Sequence, residues 1–146
     1  MVVIQNPIND TSIDEPHLSS ILQQVLNDLK QGESELLIRI VDKAEIQDLN
    51  NQYRHKNKPT NVLSFPSDLP EEIGEAILGD VIICTDIVRE EAQYQGKTFN
   101  NHLIHIAVHG TLHLLGYDHI QEDGAQIMEA LEIKILQDLS IENPYA

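Results

Sequence analysis

The run Glu35-Leu-Leu-Ile-Arg-Ile-Val41 constrains the fold more than any other stretch of the chain. It is almost wholly apolar and rich in branched side chains, which fit a pleated surface better than a helix. Such a composition suits a strand buried on both faces, and therefore a sheet with helical cover. Three further stretches read as its neighbours: Val2-Val-Ile-Gln5, Asn61-Val-Leu-Ser-Phe65 closed by Pro66, and residues 77–84. Between and after them lie helical patterns. Leu18, Ile21, Leu22, Val25, Leu26 and Leu29 recur at i, i+3, i+4 and i+7. Asp14 is the expected N-cap of that helix, Pro16 is tolerated in its first turn, and Gly32 is its expected stop. Asp42 with Glu45 looks like a capping pair opening a second helix, with Ile46, Leu49 and Tyr53 on its apolar stripe. Thr85 or Asp86 caps a third, which Gly96 ends. A fourth runs from about Asn100 to Leu115, and a fifth carries Ile127, Met128, Leu131, Ile135 and Leu139. Residues 67–75 read as an acidic loop with Glu71, Glu72 and Glu75. The expected class is α+β, a mixed α/β layer. One domain over residues 1–146 would hold about four strands in a mixed sheet, covered by about five helices.

A chain of 146 residues can bury about 68–70% of its unfolded surface and needs no disulfide to fold. The lone Cys84, in the apolar run Val81-Ile-Ile-Cys84, cannot form an internal bridge and reads as a buried, inert thiol. That usage, with no signal-like start and no apolar run near the ~18 residues of a membrane span, implies a reduced cytoplasmic setting and no membrane. The net charge of −15 disfavours a whole-surface nucleic-acid binder. A polyanionic substrate would have to be met by a local basic patch, by a metal, or with a partner's help.

The chemistry concentrates in His109-Gly-Thr-Leu-His113-Leu-Leu-Gly116-Tyr-Asp-His119. Side chains at i and i+4 share one helix face, with Cβ atoms roughly 5–6 Å apart. Two imidazoles so placed can close on one Zn²⁺ at about 2.0–2.1 Å. Gly116 can end the helix in a left-handed conformation and turn the chain back, bringing His119 to the same ion. Three nitrogen ligands with an open position describe a catalytic zinc site, one ion per chain. Five of the seven histidines lie between 102 and 119. On the helix, His102, His105, His109 and His113 fall within an arc of roughly 80°. His105 could pair with His109 as an alternative ligand set, but fits better packed beneath the site or supporting a ligand. His102 is expected at the polar surface. The bland alternative, a satisfied core histidine, explains one such residue better than three at ligand spacing.

The spacing is also similar to that of metzincin proteases, which carry a glutamate directly after the first histidine as general base. Gly110 stands there, so a zinc-dependent amide or small-molecule hydrolase is disfavoured, although Asp118 could substitute. A second constellation is Arg54, Lys56 and Lys58, three of only nine basic residues. Cations near a helix C-terminus complement its dipole, and a solvated helix end is the bland reading. Arg54 follows apolar Tyr53, however, and the segment leads into Pro59-Thr60-Asn61, whose small polar groups are expected to be exposed. A guanidinium binds phosphate in a bidentate manner, and an arginine facing a metal suits phosphoryl transfer.

Three blocks together resemble the YbeY family of bacterial endoribonucleases. They are Leu49-Asn-Asn-Gln-Tyr-Arg54 with Lys58-Pro-Thr-Asn-Val-Leu-Ser-Phe-Pro66, then Leu78-Gly-Asp-Val-Ile-Ile83, then His109 to His119. The resemblance implies a metal-dependent, single-strand-directed endoribonuclease acting in ribosomal RNA maturation, notably at the 3′ end of 16S rRNA, and in ribosome quality control. Its implied partners are single-stranded or ribosomal RNA, ribosomal particles and a small-subunit ribosomal protein, with no role for DNA. The family's zinc ligands fall on His109, His113 and His119, its functionally important arginine on Arg54, and the aspartate of its second block on Asp80. Lys56 and Lys58 would guide the strand. Asn57 and the Ile-Gln-Glu-Asp run after His119 depart from the family's more acidic pattern. A non-catalytic assembly factor, stabilised by zinc, is the rival from another class.

Overall fold

Among the described residues four strands form one sheet: β1 (Val2–Gln5), β2 (Glu35–Val41), β3 (Val62–Pro66) and β4 (Ile77–Cys84), in the order β1-β2-β4-β3. The computed structural model of the chain describes residues 1–67, 77–117 and 122–145. The acidic loop beyond Ser67, Asp118 and His119 lie outside those residues. Pairing is parallel from β1 to β2 and from β2 to β4, whereas β3 runs antiparallel to β4 and forms an edge. Parallel neighbours need a crossover. Helix α1 (Glu15–Asp28) supplies the first, and α2 (Lys43–Arg54) begins the second before the chain turns into β3. Three helices follow: α3 (Thr85–Gln95), α4 (Phe99–Leu114) and α5 (Glu122–Asp138). The mixed sheet and the five helices of the described residues form the α+β arrangement that the sequence implies.

Side chains alternate across a strand, so each strand offers two surfaces. Leu36, Ile38, Ile40, Val81 and Ile83 join the larger core with Leu22 and Leu26 of α1 and Leu103 and Ala107 of α4. On the opposite face Leu63, Ile82 and Cys84 pack with Ile46 of α2. The thiol of Cys84 is buried there, and burial raises its pKa. The expectation that Glu35–Val41 is buried on both faces needs correction. Leu36, Ile38 and Ile40 are buried, but Leu37 and Arg39 are only half-buried. The smaller core lies toward Val41, and Arg39 instead meets Glu45 and Gln5.

The helix ends follow the expected chemistry in part. Asp14 and Asp42 accept from the N–H groups of His17 and Glu45 at 3.1 and 2.8 Å. The Glu45 carboxylate does not complete the capping pair; it binds Arg39 at 3.3 Å. Gly96, at φ 69°, ends α3 as expected. Neither Thr85 nor Asp86 caps that helix. Cys84 holds the N-cap position, and the Thr85 hydroxyl turns to Asp10 at 2.7 Å. Gly32 is not the stop of α1, which ends at Asp28 with Leu29 as its C-cap and Lys30 in the left-handed region at φ 62°. The stripe expected of α5 packs on the core through Met128, Leu131, Ile135 and Leu139, with Leu136 buried beside it, and only Ile127 departs, at 59% exposed. Among the described residues no helix is long and apolar enough to cross a membrane.

Candidate active site

Helix α4 carries the first two proposed ligands across the sheet. The Thr98 hydroxyl caps its start, accepting from the Asn101 N–H at 3.2 Å. Its end is a Schellman motif: the Gly116 N–H bonds the His113 carbonyl at 3.2 Å, and the Tyr117 N–H bonds that of Leu112 at 3.1 Å. Gly116 sits at φ 96°, the left-handed turn its position implied. The middle of α4 lies close on β3 and β4. A Cβ at Gly110 would stand 2.7 Å from Val81 Cγ1 and 3.1 Å from Val62 Cγ2. The Ser64 hydroxyl donates to the Gly110 carbonyl at 2.9 Å. Position 110 therefore faces the sheet and has no room for the peptidase glutamate.

His109 and His113 lie side by side, with ring centroids 6.1 Å apart. His109 Nδ1 is 2.6 Å from Glu132 Oε1, and His113 Nδ1 is 3.0 Å from the Tyr117 carbonyl oxygen. A carbonyl can only accept, so His113 carries its proton on Nδ1. Glu132 is fully buried. Burial alone would raise its pKa, but hydrogen bonds from His105, His109 and Tyr145 outweigh that and hold it at about 2. An ionised carboxylate likewise accepts, which assigns the His109 proton to Nδ1. With the proton on Nδ1, the neutral form of either ring presents its lone pair at Nε2. This is the donor form that zinc takes, with an oxygen orienting each ring from behind. The two histidines thus fit a metal. Among the described residues no group of three potential ligands is assembled, and the third proposed ligand, His119, lies outside them.

The other helix histidines divide. His105 donates through Nε2 to Glu132 Oε2 at 3.1 Å, in the supporting position expected of it. His102 is not at the surface. It is 3% exposed, and its Nε2 bonds Glu91 at 3.0 Å. Burial lowers its pKa against the opposing pull of Glu91.

Arg54 is the last residue of α2, and His55 caps the helix in the left-handed region at φ 59°. The bonds from Cys84 N–H to Asn61 O and from Ser67 N–H to Leu78 O place the odd-numbered residues of β3 in the ladder with β4. The carbonyl of Ser64 therefore points outward from the edge. Arg54 Nη2 donates to it at 3.0 Å, and the guanidinium carbon lies 5.8 Å from the centre of the Phe65 ring. A cleft of about 480 Å³ is lined by Arg54, Asn61, Ser64, Pro66, His109 and His113, among others. Arginine and imidazoles, distant in sequence, thus share one wall system. Lys56 and Lys58 are exposed and do not line it. Their backbone is tied down by buried Asn50, whose amide donates to the Lys58 carbonyl at 2.8 Å. Asp80 lies in an adjoining cleft of about 590 Å³, which also includes Arg54, Tyr53 and Phe65. Asn61, expected to be open, donates its amide to Glu91 at 3.1 Å. Ser64, Asn50 and Glu132 were not singled out by sequence. The helical phase that puts Glu132 between Met128 and Leu136 was the available signal for the last of them.

The model of a protein family described as Endoribonuclease YbeY matches residues 3–140. The chain belongs to the YbeY family. Two curated YbeY relatives, each named Endoribonuclease YbeY, agree over the full length. That of Vesicomyosocius okutanii is 63% identical over 145 residues, covering 99% of this chain and 100% of the relative. The one from Ruthia magnifica has the same identity and coverage. A solution structure of TM1509 from Thermotoga maritima has a TM-score of 0.63 and 28% identity, over 96% of this chain and 92% of that one. The span matched to the YbeY model contains Arg54, His109, His113 and His119.

Proposed function

We propose that this chain is a cytoplasmic, metal-dependent endoribonuclease that cuts single-stranded RNA during ribosomal RNA maturation, including the 3′ end of 16S rRNA, and in ribosome quality control. The observation that carries this reading is one cleft walled by Arg54 and by two imidazoles, each held from behind by an oxygen at Nδ1. His109, His113 and His119 would hold one Zn²⁺, which when bound supplies Lewis acidity toward water or a phosphate oxygen. Arg54 is pre-oriented by the Ser64 carbonyl, and its remaining N–H groups are available to non-bridging phosphate oxygens. The cleft has the size of a small-ligand site, which suits one or two nucleotides of a single strand. Lys56 and Lys58, outside it, would guide the flanking strand.

The charge of −15 weakens encounter with naked RNA. A ribosomal particle, or a small-subunit ribosomal protein, is therefore the proposed partner that presents the substrate. The closed space at Gly110 argues against an amide hydrolase of the peptidase type. To test the substrate class, zinc-loaded protein is incubated with an end-labelled single-stranded RNA, the same RNA as a duplex, and a peptide amide. Internal cuts in the single strand alone are expected. Amide hydrolysis, or RNA binding without any cut, would overturn the assignment.

A further inference from the structure

Three donors, two from α4 and one from the C-terminal tail, converge on one fully buried carboxylate, Glu132. His109 Nδ1 reaches Oε1 at 2.6 Å, while His105 Nε2 and the Tyr145 hydroxyl share Oε2 at 3.1 and 2.6 Å. The Tyr145 ring also stands edge-on to His105, with centroids 5.9 Å apart. Tyr145 belongs to the tail beyond the end of α5 at Asp138, far in sequence from the histidine helix.

We infer that Glu132 and Tyr145 are positioning residues for the metal ligand His109: the carboxylate keeps the proton on Nδ1, and the tail hydroxyl keeps the carboxylate in place. The inference rests on the metal-dependent reading above. Its chemistry is specific to a carboxylate, which accepts at both oxygens, whereas an amide accepts at one and donates at the other. In Glu132→Gln the shape is kept. The amide oxygen is best satisfied where His105 and Tyr145 both donate, which turns the NH₂ group toward His109. His109 must then accept at Nδ1 and carry its proton on Nε2, where it blocks the lone pair a metal requires. A purely packing role for Glu132 predicts no such tautomer change, since glutamine has nearly the same volume.

The test reads the His109 tautomer in the metal-free protein by long-range ¹H–¹⁵N correlation. Zinc affinity is measured alongside by competition with a chromophoric chelator, and circular dichroism confirms folding. Wild type should show the Nδ1–H form. Glu132→Gln should show Nε2–H and bind zinc roughly 10–100-fold more weakly. Tyr145→Phe, which keeps the ring against His105, should retain the Nδ1–H form with a loss of a few fold. A folded Glu132→Gln protein with the wild-type tautomer and affinity would overturn the positioning role. If that variant does not fold, unchanged affinity in Tyr145→Phe overturns the role of the tail. Failure of wild type to take up zinc would instead overturn the metal reading itself.

Discussion

Arg54 reaches over the outer edge of β3 and donates through Nη2 to the backbone carbonyl of Ser64 at 3.0 Å. The hydroxyl of that same Ser64 donates to the Gly110 carbonyl at 2.9 Å, on the helix that carries His109 and His113. One serine on the edge strand therefore ties the arginine and the histidine helix to a common frame. Neither hydrogen bond involves the ring nitrogens proposed to face a metal.

Replacing the arginine separates charge from geometry. Arg54→Ala should lower kcat on single-stranded RNA by about 100-fold or more, with zinc content unchanged. Arg54→Lys should recover only a small part of this, because an ammonium cannot both hold the Ser64 carbonyl and present a fork to phosphate. Single-turnover cleavage with parallel metal analysis checks both variants. A lysine variant at the wild-type rate would contradict the role of the fork.

Gly110 tests how closely α4 lies on the sheet. Alanine there gains about 1 kcal/mol of helix propensity. The Cβ, however, would sit 2.7 Å from Val81 Cγ1, and overpacking of a core costs about 1–3 kcal/mol. The contact should win, giving a net loss of up to about 2 kcal/mol in urea unfolding. A stabilised Gly110→Ala protein would show that the helix can lift off the sheet freely.

The two exposed lysines should act through long-range attraction, not through the cleft. Double replacement, Lys56→Ala with Lys58→Ala, should lower kcat/KM and leave kcat nearly unchanged. For single strands each phosphate contact contributes about 0.7 to the slope of log K against log salt, so the slope should flatten by up to about 1.4. An unchanged slope would place the strand elsewhere on the surface.

Asp10 gives the protein an acid-sensitive contact away from the cleft. Burial pushes its pKa up, but hydrogen bonds from Ser12, Thr85 and Arg89 outweigh that and bring it from 3.8 to about 2. A folded-state pKa below the unfolded value contributes stability that is fully present above about pH 4 and is lost as the pH falls toward 2. The contribution is about 2 kcal/mol at most. Asp10→Asn should therefore destabilise the protein at pH 7, with the gap to wild type narrowing below pH 4 in urea titrations. A gap that stays constant from pH 7 to pH 3 would contradict the assignment.

Much of this is legible in the sequence. Branched apolar runs marked the strands, because only a covered sheet can bury them. Gly116 marked the helix end, because the turn needs a positive φ. The i, i+4 histidines marked the cleft. What stayed hidden depends on phase and on contacts between distant segments. Glu132 reads as a surface residue until Met128 and Leu136 fix the buried line of α5. His102 looks polar until Glu91 on α3 is placed against it. That β2 is fully covered on one face only could not be seen, because its composition does not record how far α2 extends along the other.

Metal analysis combined with RNA cleavage, for wild type and His113→Ala, decides whether the histidine pair on α4 holds a metal that cutting requires. About one zinc per wild-type chain is expected, with internal cleavage of single-stranded RNA that a chelator abolishes, and loss of both zinc and cleavage in the folded variant. Wild-type protein that cuts RNA equally well without metal, or a His113→Ala protein that retains full cleavage, would contradict that requirement.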